Sequence, residues 1–151
     1  MNAQKIRFAL ALPAGILVMA AFTSFFENFG KRFFEIPQSM RDAIALMQKA
    51  DPGARDAIAA AMHDMPFGAL IVVIAAWTLG AALGAFAACR VGGTNFVPLS
   101  IALAIVSIAF VSINLILIPH PLWMIAVGVL LPPIAAIAVG RLALQWMPRA
   151  A

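Results

Sequence analysis

The sequence predicts an all-α integral membrane protein, a four-transmembrane-helix bundle with short amphipathic helices between helices 1 and 2. Hydrophobic residues make up 64% of the 151 positions and charged residues only 11%, whereas about a quarter of the residues in soluble proteins are charged. The mean hydropathy is +1.02. Four apolar stretches are long enough, at about 1.5 Å per residue, to cross a hydrocarbon layer of roughly 30 Å as helices.

The apolar stretches follow one another along a single membrane domain, residues 1–151. The predicted spans are 8–26, 67–88, 96–118 and 122–144. The first follows Lys5 and Arg7 and resembles a secretory signal peptide, but it is long and lacks a convincing cleavage site. We therefore expect it to be retained as a span.

The segment between the first two spans, residues 38–65, is predicted to form two short amphipathic helices. Met40 and Ile44 lie one helical turn apart, with polar residues around the rest of the helix. Asp51 is expected to cap a second helix that begins at Pro52. These helices are expected to lie on the membrane or over the mouth of the bundle.

Short turns connect the remaining spans and make them antiparallel neighbours. Residues 91–95 are rich in glycine, and residues 119–121 contain two prolines. Pro132 and Pro133 fall near the middle of the fourth span. Because proline has no backbone N–H, this pair predicts a bend or a locally unwound turn there.

Small residues recur every four positions in two of the spans. In lipid, such columns let two helix backbones approach closely. The second-span column could form a homodimer seam or pack inside the bundle, most simply against the fourth span. The candidate packing residues are Ala76, Gly80, Gly84 and Ala88 in the second span and Gly128, Ala136 and Gly140 in the fourth, where Pro132 occupies the intervening position of the column.

Charge placement predicts the topology. The ten basic residues divide equally between the two sides of the membrane, but all six acidic residues lie between Glu27 and Asp64. The termini are therefore expected to be cytoplasmic. The isoelectric point near 10.3 would suggest a nucleic-acid partner for a soluble protein. Here the basic residues flank apolar runs, so the lipid bilayer is the expected partner and nucleic acid is not.

Histidine and carboxylate residues on the side of the first loop form a candidate polar rim. His63, Asp64 and His120 could converge there, and two imidazoles with a carboxylate suit zinc or a proton-sensitive site. Their spacing is not diagnostic of a metal site, and turn formation or solvation is the alternative explanation. The single cysteine, Cys89, belongs to no CxxC motif. No cofactor is expected.

Polar groups within the spans have structural explanations as well as functional ones. Arg141 lies close enough to a helix end to reach the headgroups. Asn114, Ser107 and Ser112 would favour a transporter if they faced a wet interior. Trp77 lies deep and is expected to fill space. Since the sequence contains no phosphate-binding loop and no nucleophile elbow, an enzyme is not expected.

Three segments of the second half of the chain resemble a family of small bacterial four-span membrane proteins to which no activity is assigned. These are the GxxxGA-containing segment 77–88, the Pro-x-Pro-x-Trp turn in 118–123, and the proline-plus-small segment 131–140. The family often has a histidine where this chain has Trp77. The resemblance implies residence in a bacterial membrane and a four-helix bundle, and it implies no activity.

These observations predict a non-enzymatic component of the bacterial inner membrane that associates through small-residue helix seams. Its expected partners are the lipid bilayer and either a second copy of the chain or another membrane protein. Two alternatives remain open. The first is a small transporter or permeation subunit, and the second is a metal-linked membrane enzyme.

Overall fold

The computed structural model describes residues 3–93 and 96–146, and every regular element within them is helical. Four helices are long and apolar enough to cross a membrane. The predicted fold class, an all-α four-helix membrane bundle, is therefore confirmed. The helices are α1 (Ala3–Gly30), α2 (Gln38–Gln48), α3 (Ala54–Ala61), α4 (Phe67–Gly92), α5 (Phe96–Leu117) and α6 (Leu122–Trp146).

The first two spans are longer than the sequence predicts. α1 continues past residue 26 to Gly30, and the Asn28 side chain donates a hydrogen bond of 2.8 Å to the Ser24 carbonyl within this added turn. α4 continues past residue 88 to Gly92. It ends there because Gly93 adopts φ 82°, a left-handed conformation that favours glycine. The extension of α1 places Glu27 inside the helix rather than in a connecting segment.

Helices α2 and α3, with the 3-10 turn Met62–Asp64, form a cap at one end of the bundle. The expected start of the second cap helix at Pro52 is wrong, since α3 begins at Ala54. The Asp51 carboxylate instead accepts a hydrogen bond of 2.8 Å from the Gly53 amide and closes a turn. Met40 and Ile58 are buried against the bundle, so the amphipathic faces point inward.

α4 is the central helix of the bundle and contacts α1, α5 and α6, with its most extensive interface against α1. Two hydrophobic cores follow one another along its length. The half away from the cap is built largely from alanines, whereas the capped half contains Met40, Met62, Trp77 and Met124. The small residues allow close approach of helix backbones in the first half, as at Gly15 and Gly84, whereas large side chains fill the core of the capped half.

α6 is helical throughout Leu122–Trp146 and includes both prolines. The local unwinding considered from the sequence does not occur. Pro132 is among the most deeply buried side chains of the described residues. Prolines are tolerated within membrane helices when neighbouring helices pack around them, and Pro132 and Pro133 are both buried.

Candidate ligand cavity at Glu27 and Trp77

The small-residue column of α4 faces α1. A Cβ atom added to Gly84 would lie 2.7 Å from the Gly15 carbonyl oxygen and 2.8 Å from the Met19 Cβ, and one added to Gly80 would overlap Thr23. Ala76 and Ala88 of the same column are fully buried. Because α1 already covers this surface within one chain, the column packs neither against α6, as the sequence favoured, nor in an open dimer seam.

The column of α6 lies against α4 and α5. A Cβ atom added to Gly128 would lie 2.9 Å from Cζ3 of Trp77, so the indole fills the space that this glycine leaves. Ala136 and Gly140 are also buried. The glycine at 128 therefore fixes the position of Trp77.

The three residues of the predicted rim do not come together. His63 and Asp64 are exposed, and the Asp64 carboxylate accepts a hydrogen bond of 2.7 Å from the Ser39 hydroxyl. His120 is half-buried beside Trp77. Among residues 3–93 and 96–146, no group of three or more His, Cys, Asp or Glu side chains could hold a metal ion. The three residues therefore form no metal site among the described residues, and the 3-10 turn leaves His63 and Asp64 at the surface.

A carboxylate and an indole form a polar pair inside the bundle. The Trp77 Nε1–H donates a hydrogen bond of 3.0 Å to Oε1 of Glu27. Trp77 is only 7% exposed and lies about 15 Å along α4 from Phe67, halfway through a hydrocarbon layer of roughly 30 Å. The Glu27 side chain, from the last turn of α1, therefore reaches into the apolar layer.

Two cavities meet at this pair. The first, of about 230 Å³, lies between α1, α4, α5 and α6 and is lined by Ser107 and Pro132 as well as by the pair. The second, of about 260 Å³, lies beneath the cap. Both are lined by Glu27, Trp77 and Asn114. The pair thus lines both of these mainly apolar cavities, each of which is partly open at the protein surface.

The polar side chains of α5 differ in whether they already form a hydrogen bond within the protein. The Ser107 hydroxyl donates to the Ala104 carbonyl of its own helix at 2.8 Å, and Ser112 is half-buried. The Asn114 side-chain amide lines both cavities and hydrogen-bonds to no other side chain or backbone group of the described residues. Ser112 lines neither cavity, so Asn114 is the described α5 residue that both lines the cavities and has an available side-chain amide.

Glu27 has no cationic partner in the part of the chain that the structure describes. Lys31 follows directly after the end of α1, four residues beyond Glu27, but its ammonium group donates to Oδ1 of Asn28 at 3.3 Å. The one described hydrogen bond to the Glu27 side chain is donated by Trp77 to Oε1, which leaves Oε2 without a described donor. A carboxylate in an apolar setting is stabilised by a counter-charge or by further hydrogen bonds, and here both are missing.

Sequence reasoning missed this pair because Glu27 directly follows the apolar run and therefore appears to lie in the interface. One signal was available. Gly15, Met19, Thr23 and Glu27 recur at intervals of four and define one face of α1. Gly15 and Met19 are buried on that face, and Thr23 donates to the Ala76 carbonyl at 3.4 Å. Because Glu27 follows the same four-residue spacing as these packing residues, its carboxylate is expected to point toward the neighbouring helix.

His120 adds a titratable group beside the pair. Its ring lies edge-on to Trp77 with the centroids 6.0 Å apart, and Nδ1 lies 2.6 Å from the Ile118 carbonyl oxygen. Because a carbonyl only accepts, Nδ1 is the donor. Burial lowers the pKa of the His120 imidazole, and the hydrogen bond to Ile118 opposes this shift.

We expect the protein to lose stability as the pH falls from 7.5 to 5, because the unfolded chain takes up a proton on His120 near pH 6.5 while the folded protein resists it. The other ionisable groups of the cavity are Glu27, Lys31 and Glu35. Thermal unfolding in detergent measures the effect. His120→Gln should flatten the melting-temperature profile over this range, whereas His63→Gln, at an exposed site, should not. An equal slope in both variants would contradict the assignment.

The chain matches no protein-family model, no curated protein and no solved structure. The resemblance of segments 77–88, 118–123 and 131–140 to small bacterial four-span proteins therefore stays a prediction. A functional proposal consequently rests on the arrangement of side chains around Glu27.

Proposed function

We propose that this multi-pass membrane protein is a non-enzymatic component that holds a small solute within its own bundle, as a small transporter or permeation subunit. The observation that carries the proposal is the Glu27–Trp77 pair between two cavities. An ionisable side chain within a membrane is costly, and such groups commonly mark pathways for ions or substrates. The available amide of Asn114, which lines the same two cavities, supplies a second polar contact.

The same geometry weakens the two other functions considered from the sequence. Association through the α4 column would require small residues that α1 already covers. A metal-linked enzyme would require a ligand cluster, and none occurs among residues 3–93 and 96–146. A transporter requires neither an open helix seam nor a cluster of metal ligands. It requires a polar group that can contact a solute inside an apolar bundle.

We further propose that the protein resides in the bacterial inner membrane with both termini in the cytoplasm. The concentration of all six acidic residues between Glu27 and Asp64 supports this orientation. That segment contains the cap, which would then lie on the external side. The cavity beneath the cap would open toward the periplasmic face.

Water access to Asn114 tests the proposed function. In a Cys89→Ala background, we expect Asn114→Cys in proteoliposomes to react with a charged, water-soluble thiol reagent, because position 114 lines both cavities. The readout is the labelling rate by mass spectrometry.

Ile113→Cys is the matched control, since Ile113 lies at the same depth but is 57% exposed on the lipid-facing surface. It should label about tenfold or more slowly, because a charged reagent and a thiolate are both disfavoured in hydrocarbon. Equal labelling rates at positions 113 and 114 would contradict a wet interior and with it the proposed function.

A further inference from the structure

The cavity beneath the cap has the chemistry of a site for an organic cation. We infer that the solute held at Glu27 is a monovalent lipophilic cation, an amine or quaternary ammonium compound with an apolar body. This inference rests on the proposed function and names the class of solute for the same site. Charge, shape and wall composition support it separately.

The charge balance of the cavity favours a cation. Its ionisable lining consists of Glu27, Glu35, Lys31 and His120. Lys31 and Glu35 are exposed, whereas Glu27 is half-buried and hydrogen-bonded inside the bundle. The deep end of the cavity therefore presents a carboxylate without a described counter-ion, and a ligand with one positive charge would neutralise it.

The aromatic wall favours the same class of ligand. Trp77 lines the cavity, and its indole is held by the hydrogen bond to Glu27, by packing against Gly128 and by the His120 ring. An ammonium group near an indole is stabilised by a cation–π interaction, and this contribution rises when water is excluded. One end of the cavity thus combines a carboxylate and an indole.

The remaining walls select an organic body over an inorganic ion. The cavity is lined by the methionines Met40, Met62, Met65 and Met124 and by aliphatic side chains. Calcium and magnesium require six or more oxygen ligands, which these walls do not provide. Methionine is flexible and polarisable, so such walls adapt to apolar groups of different shape. The volume of about 260 Å³ exceeds the roughly 150 Å³ of an engineered cavity that binds benzene.

Binding of benzyltrimethylammonium to the full-length protein in nanodiscs tests the inference. This probe joins one aromatic ring to one quaternary ammonium. Glu27→Gln removes the charge but keeps a carbonyl oxygen that accepts from Trp77, so the variant should remain folded. We expect Glu27→Gln to weaken binding about tenfold or more, equivalent to about 1.4 kcal/mol. Equilibrium dialysis with radiolabelled probe, corrected for empty nanodiscs, gives the affinity.

Asp56→Asn is the matched control, because Asp56 is an exposed carboxylate on α3 that lines neither cavity. It should bind the probe within about twofold of the parent protein. Phenylmethanesulfonate, an anion of similar size, should not displace the cation. Equal affinity in the parent and Glu27→Gln proteins, or displacement by the sulfonate, would overturn the inference.

Protection of a cysteine provides a second readout that does not depend on Glu27→Gln folding. The probe should slow the labelling of Asn114→Cys, because position 114 lines the same cavity as Glu27. If the cysteine is labelled rapidly, the probe does not slow the labelling and no probe binds, then the solute is not an organic cation. That result would leave the proposed wet interior intact. Failure of the labelling itself would instead reject the proposed function.

Discussion

Replacement of Gly84 by isoleucine should destabilise the bundle by about 3 kcal/mol or more. An added Cβ would lie 2.7 Å from the Gly15 carbonyl oxygen, and this is a backbone atom that cannot rotate away. Overpacking a core costs about 1–3 kcal/mol, and more when the backbone must move. Titration with a denaturing detergent in mixed micelles measures the free energy of unfolding.

Ala75→Ile provides the control for Gly84→Ile. Ala75 lies on the same helix but is exposed on the outer surface of the bundle, so the same side chain would project into lipid. We expect its free energy of unfolding to match that of the parent protein within about 0.5 kcal/mol. Light scattering should give the same oligomeric state for all three proteins. A lower oligomeric state with unchanged stability for Gly84→Ile would instead indicate an intermolecular seam.

Trp77→Ala should cost about 3–5 kcal/mol of stability, the usual range for deleting a large buried aromatic side chain. The indole forms the shared wall of both cavities and fills the space left by Gly128. Removal of the indole would join the two cavities and leave the Glu27 carboxylate without its hydrogen-bond donor. Leu79→Ala, at an outward-facing position that is 45% exposed, is the control and should lose far less. Similar losses at positions 77 and 79 would show that Trp77 is not a packing centre.

A double-mutant cycle separates the hydrogen bond from the packing of the indole. Trp77→Phe keeps an aromatic ring but removes the donor, and Glu27→Leu removes the acceptor at similar size. Each single change breaks the same hydrogen bond. The double variant should therefore lose less free energy of unfolding than the two single variants lose together, by about 0.5–3 kcal/mol. Strict additivity would indicate that the 3.0 Å contact between Nε1 and Oε1 contributes nothing to stability.

The four spans were predictable from sequence because an apolar run of this length has one stable solution in lipid, a helix that satisfies its own backbone. Their ends were less predictable. α1 continues through Glu27 and Asn28 to Gly30 although composition marks that turn as interfacial. Composition reports the average surroundings of a residue, whereas a helix ends where its hydrogen-bonded backbone is interrupted.

The candidate site was harder to predict, because it depends on which faces of distant helices meet. Trp77 was predicted to be deep and Gly128 to lie in a packing column, but neither prediction places the indole against Gly128 and Glu27. His63 and His120 were grouped because both lie on the capped side. Their separation follows from the 3-10 turn that exposes His63 while His120 packs beside Trp77.

The dependence of Glu27 on α4 has a consequence for biogenesis. The ribosome completes α1 before it synthesises Trp77, so the first helix enters the bilayer without the partner of its carboxylate. At that stage Glu27, within one turn of Gly30, is free to remain among the headgroups. We expect docking against the glycines of α4 to carry the carboxylate inward, to the position at which Trp77 donates to it. On this expectation, insertion of α4 moves Glu27 from the headgroup region into the interior of the bundle.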